Sequence, residues 1–415
     1  MIVLSVPAIY ALELTAACNN RCPGCSNVYS TDRTPPPLSA SAWELVLAKV
    51  GPEAVQVRLT GGEPTLHTEF LRILDAATAY DAEVTLFTNG RWAKPEEFIR
   101  RLQGRPRLTG LLVSLHGATA ASHEAYTCAR GSFEQAVANI RRAAESGLPV
   151  SLSTIITRHS WDQVSDVLEL SRRIGAQQVA FNRYLGPPSP DIEPSARQLR
   201  DAVARIEALV RAGEPVKYGV VIPQCFIANS SAGCLAGAAY AAVDPWGNLR
   251  PCSHSPTVAG SLRDTPLPDL WHGERMRAWR ALVPAGCTSC AAYSDCHGGC
   301  RAVQEMRPDR SDPLRSQPLD QPASAQPHKP HALPAHARPR MTGRLRVESF
   351  GYAVLGNGHA VPVRAEAGAA IAACDGATTF AQLAERYGQS GLNVLGDLWQ
   401  MGLLEITNAT PEGCA

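Results

Sequence analysis

The sequence predicts an α/β protein built on a parallel sheet, followed by a small cysteine-rich domain and a small α+β domain at the end of the chain. Three observations predict it. Short apolar runs alternate with amphipathic stretches up to about residue 215, seven cysteines gather between 221 and 306, and a compact apolar pattern resumes at 343 after a proline-rich stretch. At 415 residues the chain exceeds one ordinary core, so two or three domains are expected.

Strands are expected at 10–14, 55–59, 83–87, 110–115, 150–154 and 178–182, with helices at 43–50, 70–80, 133–146, 164–174 and 196–212. Six strand-then-helix units over residues 1–220 imply parallel pairing through right-handed crossovers, as an open barrel or a doubly wound sheet. In either, chemistry sits beyond the carboxyl ends of the strands. Residues 307–342 are too rich in Pro, Ser, Gln and His to bury a core and read as a semi-extended linker. Residues 343–408 read as short strands and then helices at 365–374, 379–387 and 392–402. Asp375-Gly376 turns the chain there and Thr378 or Thr379 caps the next helix, a winged-helix-like pattern. Residues 409–415 form a tail.

Composition narrows the function. A net charge of +1 offers no cationic field for nucleic acid, and no apolar run is long enough to cross a bilayer. The amino-terminal residues lack a basic leader and soon meet Glu13, so a cytoplasmic location is expected. Thirteen cysteines in a reducing compartment, several at short spacings, point to metal rather than disulfides.

The first strand is followed by Cys18-Asn19-Asn20-Arg21-Cys22-Pro23-Gly24-Cys25. Three thiolates in one loop can hold three irons of a [4Fe–4S] cube and leave the fourth iron open. Zinc would want a fourth Cys or His close by; by spacing alone both metals stay in play. The second strand ends in Thr60-Gly61-Gly62-Glu63-Pro64, where paired glycines allow close backbone approach and Glu63 offers a carboxylate to an ammonium group.

Together these motifs resemble the radical S-adenosylmethionine (SAM) superfamily, with Thr88-Asn89-Gly90 and Val113-Ser114-Leu115-His116-Gly117 extending the likeness across the first 215 or so residues. The resemblance implies a partial (β/α)6 TIM-like barrel. It also implies a SAM-binding [4Fe–4S] cluster on Cys18, Cys22 and Cys25, and SAM held near Gly61, Gly62, Glu63, Asn89 and Ser114. Gly24 departs from the pattern, since many members carry an aromatic there against the adenine. In that family the reduced cluster cleaves SAM to a 5′-deoxyadenosyl radical that abstracts a substrate hydrogen.

The second cysteine group, with Gly247 ahead of Cys252 and the run Cys287-x2-Cys290-x5-Cys296-x3-Cys300, resembles the SPASM extension of radical SAM peptide maturases. That resemblance implies one auxiliary [4Fe–4S] cluster on Cys225, Cys234, Cys252 and Cys300, and a second on Cys287, Cys290 and Cys296. No further Cys follows Cys300 until Cys374, so the second cluster is expected to be open or to take a ligand such as Asp309, Asp312, His297 or Cys414. The segment 369–402 resembles a PqqD-like peptide-recognition domain, which pairs a precursor's leader with a sheet edge.

The expected function is therefore maturation of a ribosomally made precursor peptide, forming a thioether, a carbon–carbon crosslink or another side-chain change, with a ferredoxin or flavodoxin as reductant. Modification of a protein residue or a tetrapyrrole is the enzymatic rival, and a non-catalytic cluster-bearing peptide carrier the rival of another class. No catalytic acid or base is named. Cys128 and Cys374, with Tyr126, Tyr184 and Tyr240, read as packing residues, Cys414 as unligated, and His116 as either structural or a SAM or substrate contact.

Overall fold

A computed structural model describes residues 1–25, 35–186, 188–227, 233–307, 312, 314–315, 319–320 and 333–407. The first half runs β1 (Ile9–Glu13), α1 (Ala40–Val50), β2 (Gln56–Thr60), α2 (Phe70–Thr78), β3 (Glu83–Thr88), α3 (Pro95–Leu102) and β4 (Leu108–Ser114). It continues through α4 (Ala120–Thr127), α5 (Ser132–Glu145), β5 (Val150–Ile156), α6 (Val164–Arg173), β6 (Gln178–Arg183), α7 (Ala196–Arg211) and β7 (Val216–Tyr218). All six expected strands are present and pair in parallel in chain order. Their outer faces meet helices: Trp43, Leu47 and Leu59 are fully buried, each worth roughly 1.5–3 kcal/mol of apolar burial.

The sheet is larger than expected. β8 (Tyr240–Val243) pairs in parallel with β1, and β9 (Asn248–Arg250) and β10 (Gly260–Ser261) extend it antiparallel, giving the order β10-β9-β8-β1-β2-β3-β4-β5-β6-β7. The sheet thus crosses the sequence division placed at 220/221 and stays open between β10 and β7, a partial barrel. Short helices complete this region: α8 (Leu267–Trp271), α9 (Glu274–Arg280), α10 (Tyr293–Cys296) and α11 (Arg301–Met306).

Beyond the stretch 316–332, of which Leu319 and Asp320 are described, lie β11 (Arg338–Met341), β12 (Arg344–Glu348), β13 (Gly351–Gly356), β14 (His359–Arg364), α12 (Ala365–Ala372), α13 (Phe380–Gln400) and β15 (Leu404–Thr407). β12, β13 and β14 form an antiparallel meander, and β11 pairs with β15. Thr379, not Thr378, caps α13, accepting from the Gln382 N–H, and Gly388 (φ 72°) breaks α13 into the two helices expected there. Cys374 is a core residue of this unit, as its sequence neighbours imply.

The unit docks on the amino-terminal ends of the barrel strands. Ala353 and Leu355 of β13 pack with Leu4, Ala8, Ile9 and Val55. The Ser5 N–H donates to Glu348 Oε2 at 2.7 Å, and Arg346 bridges Glu53 (3.2 Å), Glu348 (2.7 Å) and the Val6 carbonyl (3.0 Å).

Candidate iron–sulfur and cofactor site

At the opposite, carboxyl end of the sheet, the loop after β1 carries Cys18 exposed and Cys22 and Cys25 half-buried. The loop after β3 grips it. Asn89 Nδ2 donates to Asn19 Oδ1 at 2.5 Å and lies 3.9 Å from Cys18 Sγ, while Arg91 Nη1 donates to Asn20 Oδ1 at 2.7 Å and to the Asn19 carbonyl. From the other side the Arg21 N–H donates to the Thr127 carbonyl at 2.9 Å.

The glycine pair after β2 is there because nothing larger fits. A Cβ on Gly62 would stand 2.3 Å from the Ala17 carbonyl, and one on Gly61 2.6 Å from that of Thr15. The Gly62 N–H donates to the Thr15 carbonyl at 2.7 Å and the Glu63 N–H to that of Ala17 at 2.8 Å, seating the strand end under the cysteine loop.

Glu63 is 1% exposed and already surrounded by donors. Oε1 accepts from Thr65 Oγ1 (2.6 Å), Thr88 Oγ1 (2.8 Å) and the Thr65 N–H (3.3 Å), and Oε2 from the Asn89 N–H (2.7 Å). The carboxylate therefore ties the ends of β2 and β3 together, and an incoming ammonium would share Oε2. Burial pushes its carboxyl above the ordinary range against those donors. Ser114 closes β4, half-buried and level with Ser153.

His116 is buried and bonded within the protein. Its Nδ1 accepts the Ile155 N–H at 3.3 Å, its own N–H donates to His123 Nδ1 at 3.0 Å, and it stands edge-on to Tyr126. Burial first, then His123, holds it well below the usual histidine range, hence neutral. Tyr126 and Tyr184 pack with Cys22, as their packing role implies. Cys128, read as packed or incidental, is exposed, left-handed (φ 49°) at the end of α4, and close enough to Cys22 to oppose ionisation of its thiol.

The auxiliary cysteines fall into two neighbourhoods. Cys234, Cys252 and Cys300 act on one another: burial pushes the Cys234 thiol up to about 11 and raises Cys252, and each of these two also feels Cys300. Cys225, expected with that set, lies near enough to Cys287 to oppose ionisation of that thiol, as Cys296 also does. Asp312 is no candidate for the second cluster, because both its oxygens bond Arg183 at 2.8 Å beside Cys300. The His297 ring lies against Gly233, next to Cys234. Asp309 and Cys414 lie outside the described residues.

The thiols fit iron–sulfur clusters in two respects. Backbone N–H groups two residues on donate to sulfur at Cys18, Cys234 and Cys252, each at 3.4 Å, as a thiolate requires. Crowding also matters: burial first, then Cys25 and Cys18, raises the Cys22 thiol, a penalty that bonding to iron removes. Among the described residues no three His, Cys, Asp or Glu side chains converge on a single metal ion. A cube does not need that, since each thiolate bonds a different iron.

Sequence reading missed the barrel interior. Arg58 of β2 lies over the rings of Phe87 and Tyr240, and Tyr240 Oη bonds Ser253 Oγ at 2.9 Å. Asn182 of β6 donates to Ser153 at 3.0 Å. The signal was available: β2 alternates polar and apolar residues throughout and β3 and β5 do so over their first four, which parallel strands covered on both faces do not.

Comparison with known proteins bears on the same residues. Residues 12–191 match the model of the Radical SAM superfamily, and 234–300 that of an iron–sulfur cluster-binding (SPASM) domain. The mycofactocin maturase MftC of Mycobacterium ulcerans is 32% identical over 81% of this chain and 95% of its own. The PqqA peptide cyclase of Methylobacterium sp. is 27% identical over 72% of this chain and 82% of its own. Crystal structures of Streptococcus suis SuiB superpose with TM-scores of 0.62 (bound to SAM; 17% identity, 75% of this chain and 78% of that one) and 0.61 (bound to the precursor peptide SuiA; 17%, 75% and 76%).

Proposed function

The chain belongs to the radical SAM superfamily, with a SPASM domain attached, and from that premise we propose that it is a maturase that installs a thioether, a carbon–carbon crosslink or another side-chain change in a ribosomally made precursor peptide. It is an enzyme that modifies peptides, with [4Fe–4S] clusters and SAM as its cofactors. When bound, cluster and SAM supply a 5′-deoxyadenosyl radical for hydrogen abstraction. The observation that carries the reading is the three-thiol loop, clamped by Asn89 and Arg91 at the end of the sheet whose inner face carries Arg58 and Tyr240.

In this reading Cys18, Cys22 and Cys25 hold the SAM-binding cluster, and Gly61, Gly62, Glu63, Asn89 and Ser114 receive SAM. Cys234, Cys252 and Cys300 hold the first auxiliary cluster, and Cys287, Cys290 and Cys296 the second, to which Cys225 lends a fourth thiolate in place of its expected role. The meander and helices of 343–407 form a PqqD-like, winged-helix-like unit that takes the leader along a strand edge. A ferredoxin or flavodoxin of the cytoplasm supplies electrons. Among the described residues no helix is long and apolar enough to cross a membrane.

Reconstituted enzyme with SAM and dithionite should yield 5′-deoxyadenosine, and co-expression with a short precursor encoded nearby should change that peptide's mass. Absence of 5′-deoxyadenosine from fully iron-loaded protein would overturn the reading in favour of a non-catalytic carrier.

A further inference from the structure

Two buried guanidinium groups flank the first auxiliary cysteine set with donors to spare. Arg301 opens α11 next to Cys300 and is 1% exposed. Its Nε donates to the Arg280 carbonyl at 3.1 Å, and its Cζ lies 6.0 Å from the Trp279 ring centre. Nη1 and Nη2 have no hydrogen-bond partner among the described residues, nor does Arg301 have a carboxylate within ion-pair distance there. Arg183 ends β6 and is equally buried; it holds Asp312 through two 2.8 Å bonds, yet its Nε is likewise unpartnered among the described residues. Asp312 is itself fixed, accepting the Leu314 N–H at 3.0 Å and the Cys300 N–H at 3.4 Å. Both arginines are charged neighbours of Cys234, and Arg183 also faces Cys300.

A buried donor without an acceptor, and a buried cation without an anion, are both costly. The acceptors that fit this place are sulfurs: three thiolates and the sulfides they would surround, which carry the negative charge that Arg301 lacks beside it among the described residues. We propose that Arg183 and Arg301 donate their spare N–H groups to the sulfurs of the cluster held by Cys234, Cys252 and Cys300, with Asp312 as the positioning residue for Arg183, and so raise that cluster's reduction potential. The inference rests on those three cysteines being cluster ligands. Hydrogen bonds to sulfur and local charge are among the levers that set such potentials, and donors favour the more negative, reduced state.

The test is a redox titration followed by electron paramagnetic resonance, on the full reconstituted chain carrying Cys18→Ala, Cys22→Ala and Cys25→Ala so that only auxiliary signals remain. Iron is counted first; if auxiliary iron is missing from this parent, the ligand reading fails rather than the inference. Arg301→Gln should lower the reduced-to-oxidised ratio of one auxiliary signal about tenfold at fixed potential, a shift of about 59 mV for one electron. The other auxiliary signal should stay in place. Arg183→Gln should move the same signal the same way, and Arg301→Lys should fall between Arg301 and Gln. Loss of roughly four irons from a folded Arg301→Gln, but not from Arg301→Lys, also supports the contact. Full iron with an unmoved potential in both Gln variants overturns it. If Arg301→Gln does not fold, an unmoved potential in Arg301→Lys does so.

Discussion

Tyr184 occupies the space that a side chain at position 24 would need. A Cβ built on Gly24 falls 2.3 Å from the Tyr184 hydroxyl and one on Gly186 falls 2.2 Å from it, so the ring is wedged between two glycines at the edge of the cysteine loop. Position 24 carries no aromatic, and Tyr184, directly after β6, brings one to the loop from across the sheet. Gly24→Ala meets both this ring and a backbone at φ +70°. It should weaken SAM binding about tenfold, roughly 1.4 kcal/mol, read from the SAM-dependent change in the cluster's resonance signal. Adding Tyr184→Ala should restore the steric part of that loss.

Cys225 separates two assignments of the auxiliary ligands. If it serves beside Cys287 and Cys296, Cys225→Ala should perturb the same resonance signal that Cys287→Ala perturbs. It should leave the signal lost in Cys252→Ala intact. The reverse pattern restores the expected assignment.

Glu63 is tied by donors on all sides, so Glu63→Gln places an amide NH2 against groups that themselves donate. We expect a loss of about 1–3 kcal/mol, seen as a lowered denaturant midpoint even in the iron-free chain. Glu63→Asp, one methylene shorter, should release Thr88 and Asn89 and lose SAM binding more than stability.

Glu13 gives a pH dependence. It is buried at the end of β1, with Arg250 Nη1 at 2.9 Å, and burial pushes its carboxyl up to about 7 from 4.5, with Arg250 opposing. A raised native pKa means that the folded chain binds more protons than the unfolded one between those values. Stability should therefore fall as pH rises from about 4.5 to about 7. Glu13→Gln should flatten that slope, measured as the denaturant midpoint against pH.

The parallel sheet and the cysteine loop were legible because both are local in sequence: apolar runs of strand length, and three thiols within eight residues. β8 escaped because it reaches β1 from 227 residues further on, a pairing that no short window reveals. The Arg183–Asp312 pair escaped for the same reason, since the two residues lie 129 positions apart. The polar residues within β2 and β5 were visible, and they mark a barrel interior lined with polar side chains.

The seating of residues 343–407 against the amino-terminal strand ends sets a ruler. A strand of five to seven residues rises about 20 Å, so in the proposed reading a peptide gripped at the meander would have that height to climb before it meets the cysteine loop. Roughly six extended residues would be consumed in transit. A substrate for this chain should therefore keep its recognition sequence and its altered residue apart by at least such a spacer, and shortening the spacer should abolish modification while leaving capture untouched.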